Sequence, residues 1–572
     1  MPVHNSEIAG MFDHLADLLE IEGANRFRVR AYRSAADTIR DQSREVADML
    51  EDGEDLSEPP GIGEDLAGKI AEIVETGRLP LLEETAEDVP EGMREATRIP
   101  GIGPKRARAL FEALEIDTLE NLKAAAEDGQ VAEIDGSGPK TQAKIREALE
   151  SGEIGERRIR LDTAAEFAEP LVDWLREVEG VRRAEVAGSY RRRKETVGDL
   201  DIVAAGEDGE AIIGRFVEYD EIEEVASKGR TRATVRLRSG LQVDLRVVAE
   251  ESWGAALHDF TGAKAHAVAM RKRAQGRDLK LNEYGLFDGD ERVAGETEEG
   301  LFEGLGLPWI DPVLRESRGE IEAAEAGELP ELVTLDDIRG DLHAHTTASD
   351  GRNSLREMAE AAKERGCEYL AITDHSRSQT QAGGLSVEEV EAQIEEIEAL
   401  NAELDGVRLL KATEVDILED GSLDFPDALL DKLDVVVASV HGRLDLDAEA
   451  QTERIIRAMD NPRVNVIGHP TARLIGERRG MALDIERLAE AAAERGCALE
   501  LNANPMRLDP RDVHCRLAVE AGARIAISTD AHSVGGLGNM RHGVDQARRG
   551  WLGAADVINT RSWPELSKLL RR

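Results

Sequence analysis

Cysteine is nearly absent from this chain: Cys367, Cys497 and Cys515 are the three in 572 residues. They form no metal-ligand spacing and cannot all pair, which excludes a disulfide scaffold and points to a reducing, cytoplasmic setting. Aromatics are scarce too, at 3%. No apolar run reaches the ~18 residues that a bilayer span needs, and no basic-then-apolar leader opens the sequence, so membrane and secretory classes are not expected. The third shortage is of positive charge: 72 Lys and Arg face 117 Asp and Glu, a formal net charge of -45. What is present in quantity is apolar residues, 41%, arranged with regular helix and strand periods, and this argues against a disordered acidic chain. The reading is of roughly three to five folded domains with an acidic skin. Such a surface stays hydrated at molar salt, where the Debye length falls to about 3 Å, so a halophilic cytoplasm is expected.

Residues 1 to 150 read as helices separated by Gly/Pro turns. Three stretches there repeat one another: "PPGIGEDLAGKI", "IPGIGPKRARAL" and "IDGSGPKTQAKI". Each shows Gly-x-Gly opening a helix, and together they resemble the helix-hairpin-helix motif. The resemblance implies that Gly61 and Gly63, Gly101 and Gly103, and Gly136 and Gly138 let backbone N–H groups at a helix N-terminus approach a DNA phosphate. Backbone donors suit an acidic chain, because they add no positive charge.

From 160 to 250 the pattern turns to strands. "GSYRRRKETVGD" and "SKGRTRATVRLR" are cationic islands in an acidic chain and read as phosphate-binding patches. Within "VGDLDIV", Asp199 and Asp201 stand one residue apart in an apolar run. On a strand they project to the same face, where two ionised carboxylates repel unless a hard cation sits between them. A strand with its polar face in solvent is the alternative reading of these two residues alone.

Residues 316 to 335 are acidic, contain Gly and Pro, and read as a linker between differently patterned halves. Beyond them, short apolar runs such as "YLAITD", "VVVASVH" and "RIAISTD" alternate with amphipathic helices, the rhythm of parallel strands with crossover helices, closed as a barrel or open as a sheet. Histidines and acids cluster where those strands should end.

Taken together, "GSYRRRKETVGDLDIV", "VDLR", "FTG" and "LNEYGLF" resemble the catalytic core of the family X DNA polymerases, with residues 1 to 312 matching in order. The resemblance implies that Asp199, Asp201 and Asp244 are catalytic and hold two Mg²⁺ (or Mn²⁺) ions for in-line phosphoryl transfer. It implies that Gly188, Ser189, Arg192 and Gly198 bind the nucleotide triphosphate. Lys69, with Tyr32, falls where some relatives carry a Schiff-base lyase lysine, but Asp65 replaces a nearby family lysine and would oppose a neutral amine. Asp259 and Ala267 also depart from the family pattern, which leaves sugar discrimination and fidelity open, and Gln242 replaces the arginine that often precedes the third acid, a loss the chemistry should survive.

In the second half, His343, His345, Asp350, His375, Glu414, His441, His469, Asp530 and His532 resemble the ligand set of the PHP domain, the polymerase and histidinol phosphatase fold. All nine expected positions are occupied. The resemblance implies up to three Mn²⁺, Zn²⁺ or Fe²⁺ ions and phosphoester hydrolysis. Asp374 is expected to orient a ligand. His266, His514 and His542 read as ordinary residues.

The expected fold is multidomain α+β and α/β: helix-hairpin-helix regions at 1–90 (lyase-like) and 91–155 (fingers-like), a nucleotidyltransferase palm with a mixed sheet at 156–250, a thumb at 251–315, a linker at 316–335, and a distorted (β/α)7 PHP barrel at 336–572. The expected function is gap filling in DNA repair, including base excision repair, with 3′–5′ exonuclease or other 3′-end-processing activity. Its expected partners are gapped or primer-template DNA and dNTPs, and the expected state is a monomer. Two alternatives stay open: a DNA-binding N-terminal module beside a PHP phosphoesterase as the only enzyme, and a PHP domain that is structural or acts on a small phosphate ester.

Overall fold

A computed structural model describes residues 5–40, 46–57, 62–97, 99, 102–134, 137–150 and 158–571. The backbone forms two compact units, one of residues 1–159 with 476–478 and one of residues 160–475 with 479–572.

The first unit is helical. In the helix Asn5–Glu22, Ile8, Phe12, Leu15 and Leu19 recur at three- and four-residue spacing and are all buried; this stripe seeds a core that runs to Leu79. Tyr32 belongs to that core, edge-on to Phe12 at 5.5 Å. A second apolar core gathers Ala96 to Leu149 around Phe111 and Leu122.

The second unit begins with a five-stranded mixed sheet. The strand Asp199–Gly206 lies between Val181–Val186, antiparallel, and Gln242–Val248, parallel, in the register Asp201 opposite Asp244. Val203 and Ala205 share a face with the two acids and pack under Trp253, Ala256 and Leu257 of the helix Trp253–Thr261. Asp199 and Asp201 are themselves half-buried, so the start of the strand is partly open. A three-stranded sheet over residues 280–294 and the helices around it form the thumb core, built on Met270, Leu286, Leu301 and Phe302.

Residues 316–335 are not a loose spacer. They hold the helix Glu320–Ala326, whose Ala324 enters the thumb core, and Val333 is fully buried in the core of the following domain. The Val333 N–H donates to Leu552 O at 2.9 Å. Its few apolar residues are spread among acids, which hid their burial in the sequence.

The rest is a seven-stranded parallel sheet in strict chain order. It curls so that the His345 N–H donates to Ala531 O at 2.8 Å and Ala344 pairs with Ala531, bringing the last strand beside the first. Strands such as Val435–Ser439 and Ala498–Asn502 are buried throughout, as a parallel sheet covered by helices requires. This is the expected PHP-like barrel.

Candidate active sites

In the palm, Asp199, Asp201 and Asp244 each bring a carboxylate oxygen to within 4.8 Å of the other two. Strand alternation aligns the first pair and parallel pairing supplies the third. Burial, then the charges of Asp199 and Asp244, push the Asp201 carboxyl up to about 7, with Arg192 opposing them. A set of acids so strained by its own charge fits hard divalent cations. Gly188 (φ +59°) closes one wall: a Cβ there would stand 2.2 Å from Asp201 Oδ2. Ser189 follows it in the turn, and Gly198 immediately precedes the strand Asp199–Gly206. Gln242, where an arginine was expected, donates to Asp244 Oδ2 at 2.7 Å, so the third acid keeps an orienting partner without the charge. Asp259 pairs with Arg271 at 2.6 Å, and Ala267 is buried.

Of the two cationic islands, the first is largely spent inside the protein. Arg191 pairs with Glu298 and Glu185, both at 2.8 Å. Arg192 donates from Nε to Glu316 at 2.9 Å and from Nη1 to Thr261 O at 2.7 Å. A triphosphate at Arg192 must compete with Glu316. The second island remains a surface, with Lys228, Arg230 and Arg232 exposed.

In the helical unit Gly63 and Gly103 precede the helices Glu64–Thr76 and Pro104–Leu114, and no side chain caps either N-terminus, so their leading N–H groups are open to an anion. Gly138 precedes Pro139–Glu150. Gly61, Gly101 and Gly136 lie outside the described residues. Lys69 donates to Asp65 at 2.6 Å, so its amine is engaged by a carboxylate four residues away on the same helix.

In the barrel the expected ligands stand at or just past the C-terminal ends of the strands. Three groups assemble: His345, Asp350, His375 and His532; His343, His345 and Asp530; and His375, Glu414 and His441. His469 falls outside these groups but lies 3.0 Å from Glu414 Oε1. Two of the nine, His469 (φ +26°) and Asp530 (φ +53°), hold left-handed backbone, the kind of strain that collects at functional sites. His343 Nε2, both nitrogens of His345 and His469 Nδ1 are buried with no hydrogen-bond partner, while His375 Nδ1 faces Glu414 Oε2 at 2.8 Å. Such orphaned donor atoms around shared carboxylates are what a cluster of N/O-ligated cations would satisfy. Burial opposes charge on His375 and His441, yet the Glu414 carboxylate lifts them to about 10 and about 9. Burial and then the neighbouring His532 hold His345 down at about 4.

The orienting acids differ from the one expected. Asp374 accepts from Thr346, Ser349 and Gln393 and so fixes the loop leading to Asp350, touching no ligand imidazole. Glu500 instead accepts from His343 Nδ1 at 2.7 Å and from the His469 N–H at 2.6 Å, and Asp416 accepts from His441 Nδ1 at 2.5 Å. Each turns a ring so that its other nitrogen faces the cluster. The signal for Glu500 was an acid inside an otherwise apolar strand, "ALELN".

Among the described residues, no helix is long and apolar enough to cross a membrane. Family models match in chain order: a helix-hairpin-helix domain over 3–79, a SAM-like helix-hairpin-helix tandem over 93–151, a DNA polymerase beta thumb over 256–316 and a PHP domain over 341–504. The DNA polymerase/3′-5′ exonuclease PolX of Bacillus subtilis (strain 168) is 38% identical over 576 residues, covering 100% of both chains. A probable phosphatase of Thermoanaerobacter sp. (strain X514) is 32% identical over 38% of this chain and 89% of its own length. DNA polymerase lambda of Arabidopsis thaliana is 27% identical over 54% of this chain and 62% of its own. With a relative alignable from end to end, and thumb, helix-hairpin-helix and PHP models in the same order, the chain belongs to the family X DNA polymerases that carry a C-terminal PHP domain.

Proposed function

We propose that this chain fills short gaps in DNA with its N-terminal half and trims 3′ ends by hydrolysis with its PHP half, as a repair enzyme of the cytoplasm that works as a monomer. The observation that carries this reading is the pairing, in one chain, of two sites of different ligand chemistry. One is the carboxylate triad Asp199, Asp201 and Asp244. The other is the imidazole-rich cluster of the barrel, in a chain that aligns throughout with a polymerase/exonuclease.

In the palm, the three acids would hold two Mg²⁺ (or Mn²⁺) ions. When bound, these supply charge stabilisation for in-line displacement at phosphorus. The glycine at 188 lets a dNTP triphosphate approach the backbone, with Ser189, Gly198 and Arg192 as its further donors. Gln242 and Thr234 hold the Asp244 carboxylate in place. Gly63, Gly103 and Gly138 let the helices they precede present backbone N–H groups to DNA phosphates.

In the barrel, the nine residues would hold up to three Mn²⁺, Zn²⁺ or Fe²⁺ ions, with Glu500 and Asp416 fixing ring orientation. Bound there, the ions supply Lewis acidity toward a phosphoester. Asp350 and His532, each about one-third exposed, mark the side of the cluster that a DNA end can reach.

The test is a one-nucleotide gapped duplex with a 5′-labelled primer. With Mg²⁺ or Mn²⁺ and the complementary dNTP the primer lengthens by one; without dNTP it shortens; a chelator stops both. A primer that never lengthens under any metal would leave the PHP phosphoesterase as the only enzyme of the chain.

A further inference from the structure

Arg192, the expected triphosphate ligand, is one end of a chain of alternating charge that runs from the polymerase half into the PHP domain. Its Nε donates to Glu316 at 2.9 Å. Glu316 also accepts from Nη1 of Arg549, on the PHP helix Met540–Arg549, at 3.1 Å. Arg549 Nη2 donates to Asp512 at 2.8 Å, and Asp512 accepts from Arg318 at 2.8 Å. Arg549 Nη1 also reaches the backbone carbonyl of Arg192 itself, at 2.5 Å.

The members are mostly out of water: Arg549 is 3% exposed, Glu316 8% and Asp512 11%. Their interactions are therefore weakly screened, and a change at one is felt at the next. Glu316 is shared between two guanidiniums, with Lys194 close enough to contribute. Arg549 donates to the same Glu316 Oε1 that Arg192 uses, and its own positive charge repels the Arg192 guanidinium, so its presence weakens the net pull that holds Arg192 there. On the far side, Asp512 draws Arg549 away from Glu316.

We infer that Arg549 is a positioning residue supplied by the PHP domain to the polymerase site: by sharing Glu316 and gripping the Arg192 carbonyl, it loosens Glu316's hold on the Arg192 guanidinium and sets the affinity for an incoming nucleotide triphosphate. This rests on the polymerase reading above. It gives the PHP domain a part in nucleotide binding that is separate from its own hydrolytic cluster.

The network fixes the sign of each change. Without Arg549, a buried carboxylate is left to Arg192, and the triphosphate must displace it. Without the Asp512 charge, Arg549 turns fully to Glu316 and Arg192 is freed. Steady-state insertion into a one-nucleotide gap by the full chain should show Arg549→Ala raising KM for the dNTP about tenfold, with kcat changed by less than about twofold. Asp512→Asn should lower KM, and adding Glu316→Gln to Arg549→Ala should bring KM back toward the wild-type value. Arg549→Lys should lie between wild type and Arg549→Ala. Hydrolysis of bis(p-nitrophenyl) phosphate by the PHP site serves as the check on folding and should be unchanged in Arg549→Ala.

An unchanged KM in Arg549→Ala, or a KM that rises in Asp512→Asn as it does in Arg549→Ala, overturns the inference and leaves a merely structural contact. If Arg549→Ala fails to fold, the direction of the Asp512→Asn effect decides alone. A wild type that inserts nucleotides while Arg549→Ala matches it refutes the inference only; a wild type that shortens primers but never inserts refutes the polymerase reading and the inference together.

Discussion

Glu500 and His343 stand 2.7 Å apart with both side chains fully buried, the carboxylate accepting from Nδ1 and leaving Nε2 turned toward Glu414 and Asp530. The same carboxylate holds the backbone N–H of His469. One acid thus sets the ring of one expected ligand and the main chain of a second. Replacing it by glutamine keeps the shape but can present the wrong hydrogen-bonding edge to the ring. Glu500→Gln should weaken Mn²⁺ retention by about 10- to 100-fold, read as metal content by mass spectrometry after dialysis against limiting Mn²⁺. Retention equal to wild type would mean that Glu500 does not orient the cluster.

The palm triad makes a prediction about stability in the absence of metal. Asp201 is pushed up to about 7 in the folded protein from an ordinary 3.8. Between those values the folded state binds more protons than the unfolded one, so stability falls as pH rises from about 4 to about 7 and stays lower above it. Asp201→Asn removes that loss. In EDTA the variant should melt higher than wild type at pH 8 and equal to it near pH 4, and Mg²⁺ should narrow the gap at pH 8 by stabilising the wild type. A melting difference independent of pH would refute the crowding of charge at this site.

Lys69 sits four residues after Asp65 on one helix and pairs with it at 2.6 Å. An amine whose hydrogens are engaged by a carboxylate is not presented to a sugar carbonyl. Borohydride trapping on DNA carrying a 5′-deoxyribose phosphate should give no adduct with wild type, while Asp65→Ala should raise the yield by releasing the amine from the ion pair. Efficient trapping of the wild type at Lys69 would overturn this reading.

Salt separates two ways of holding DNA. Each phosphate neutralised by Lys or Arg contributes about 0.9 to the negative slope of log affinity against log salt. Uncapped helix N-termini and bound cations do not rely on side-chain charge, and an acidic skin is tolerated best when screened. Primer extension should remain detectable above about 1 M KCl. Activity confined to low salt would contradict a halophilic enzyme.

Much of this was legible in the sequence where chemistry is local. The i, i+2 spacing of Asp199 and Asp201 announced a shared strand face, and the parallel strand carrying Asp244 completes it in register. The histidines of the barrel showed themselves by falling at the ends of apolar runs. What stayed hidden depends on contacts distant in the chain. Arg192 read as a free phosphate ligand because Glu316 lies 124 residues away. Glu500 is 157 residues from the imidazole it orients. Asp374 misled through proximity: it lies past the strand Tyr369–Ile372 and bonds Thr346, Ser349 and Gln393 rather than the neighbouring His375.

The central claim, that one chain carries two independent catalytic sites, is tested most directly on a 5′-labelled gapped primer and template in KCl, with and without dNTPs. Asp199→Ala/Asp201→Ala should abolish extension and leave 3′ shortening intact, while His343→Ala/His345→Ala should abolish shortening and leave extension intact. If the aspartate pair extends the primer as wild type does, or if either pair removes both activities from a folded protein, the account of two separable sites is wrong.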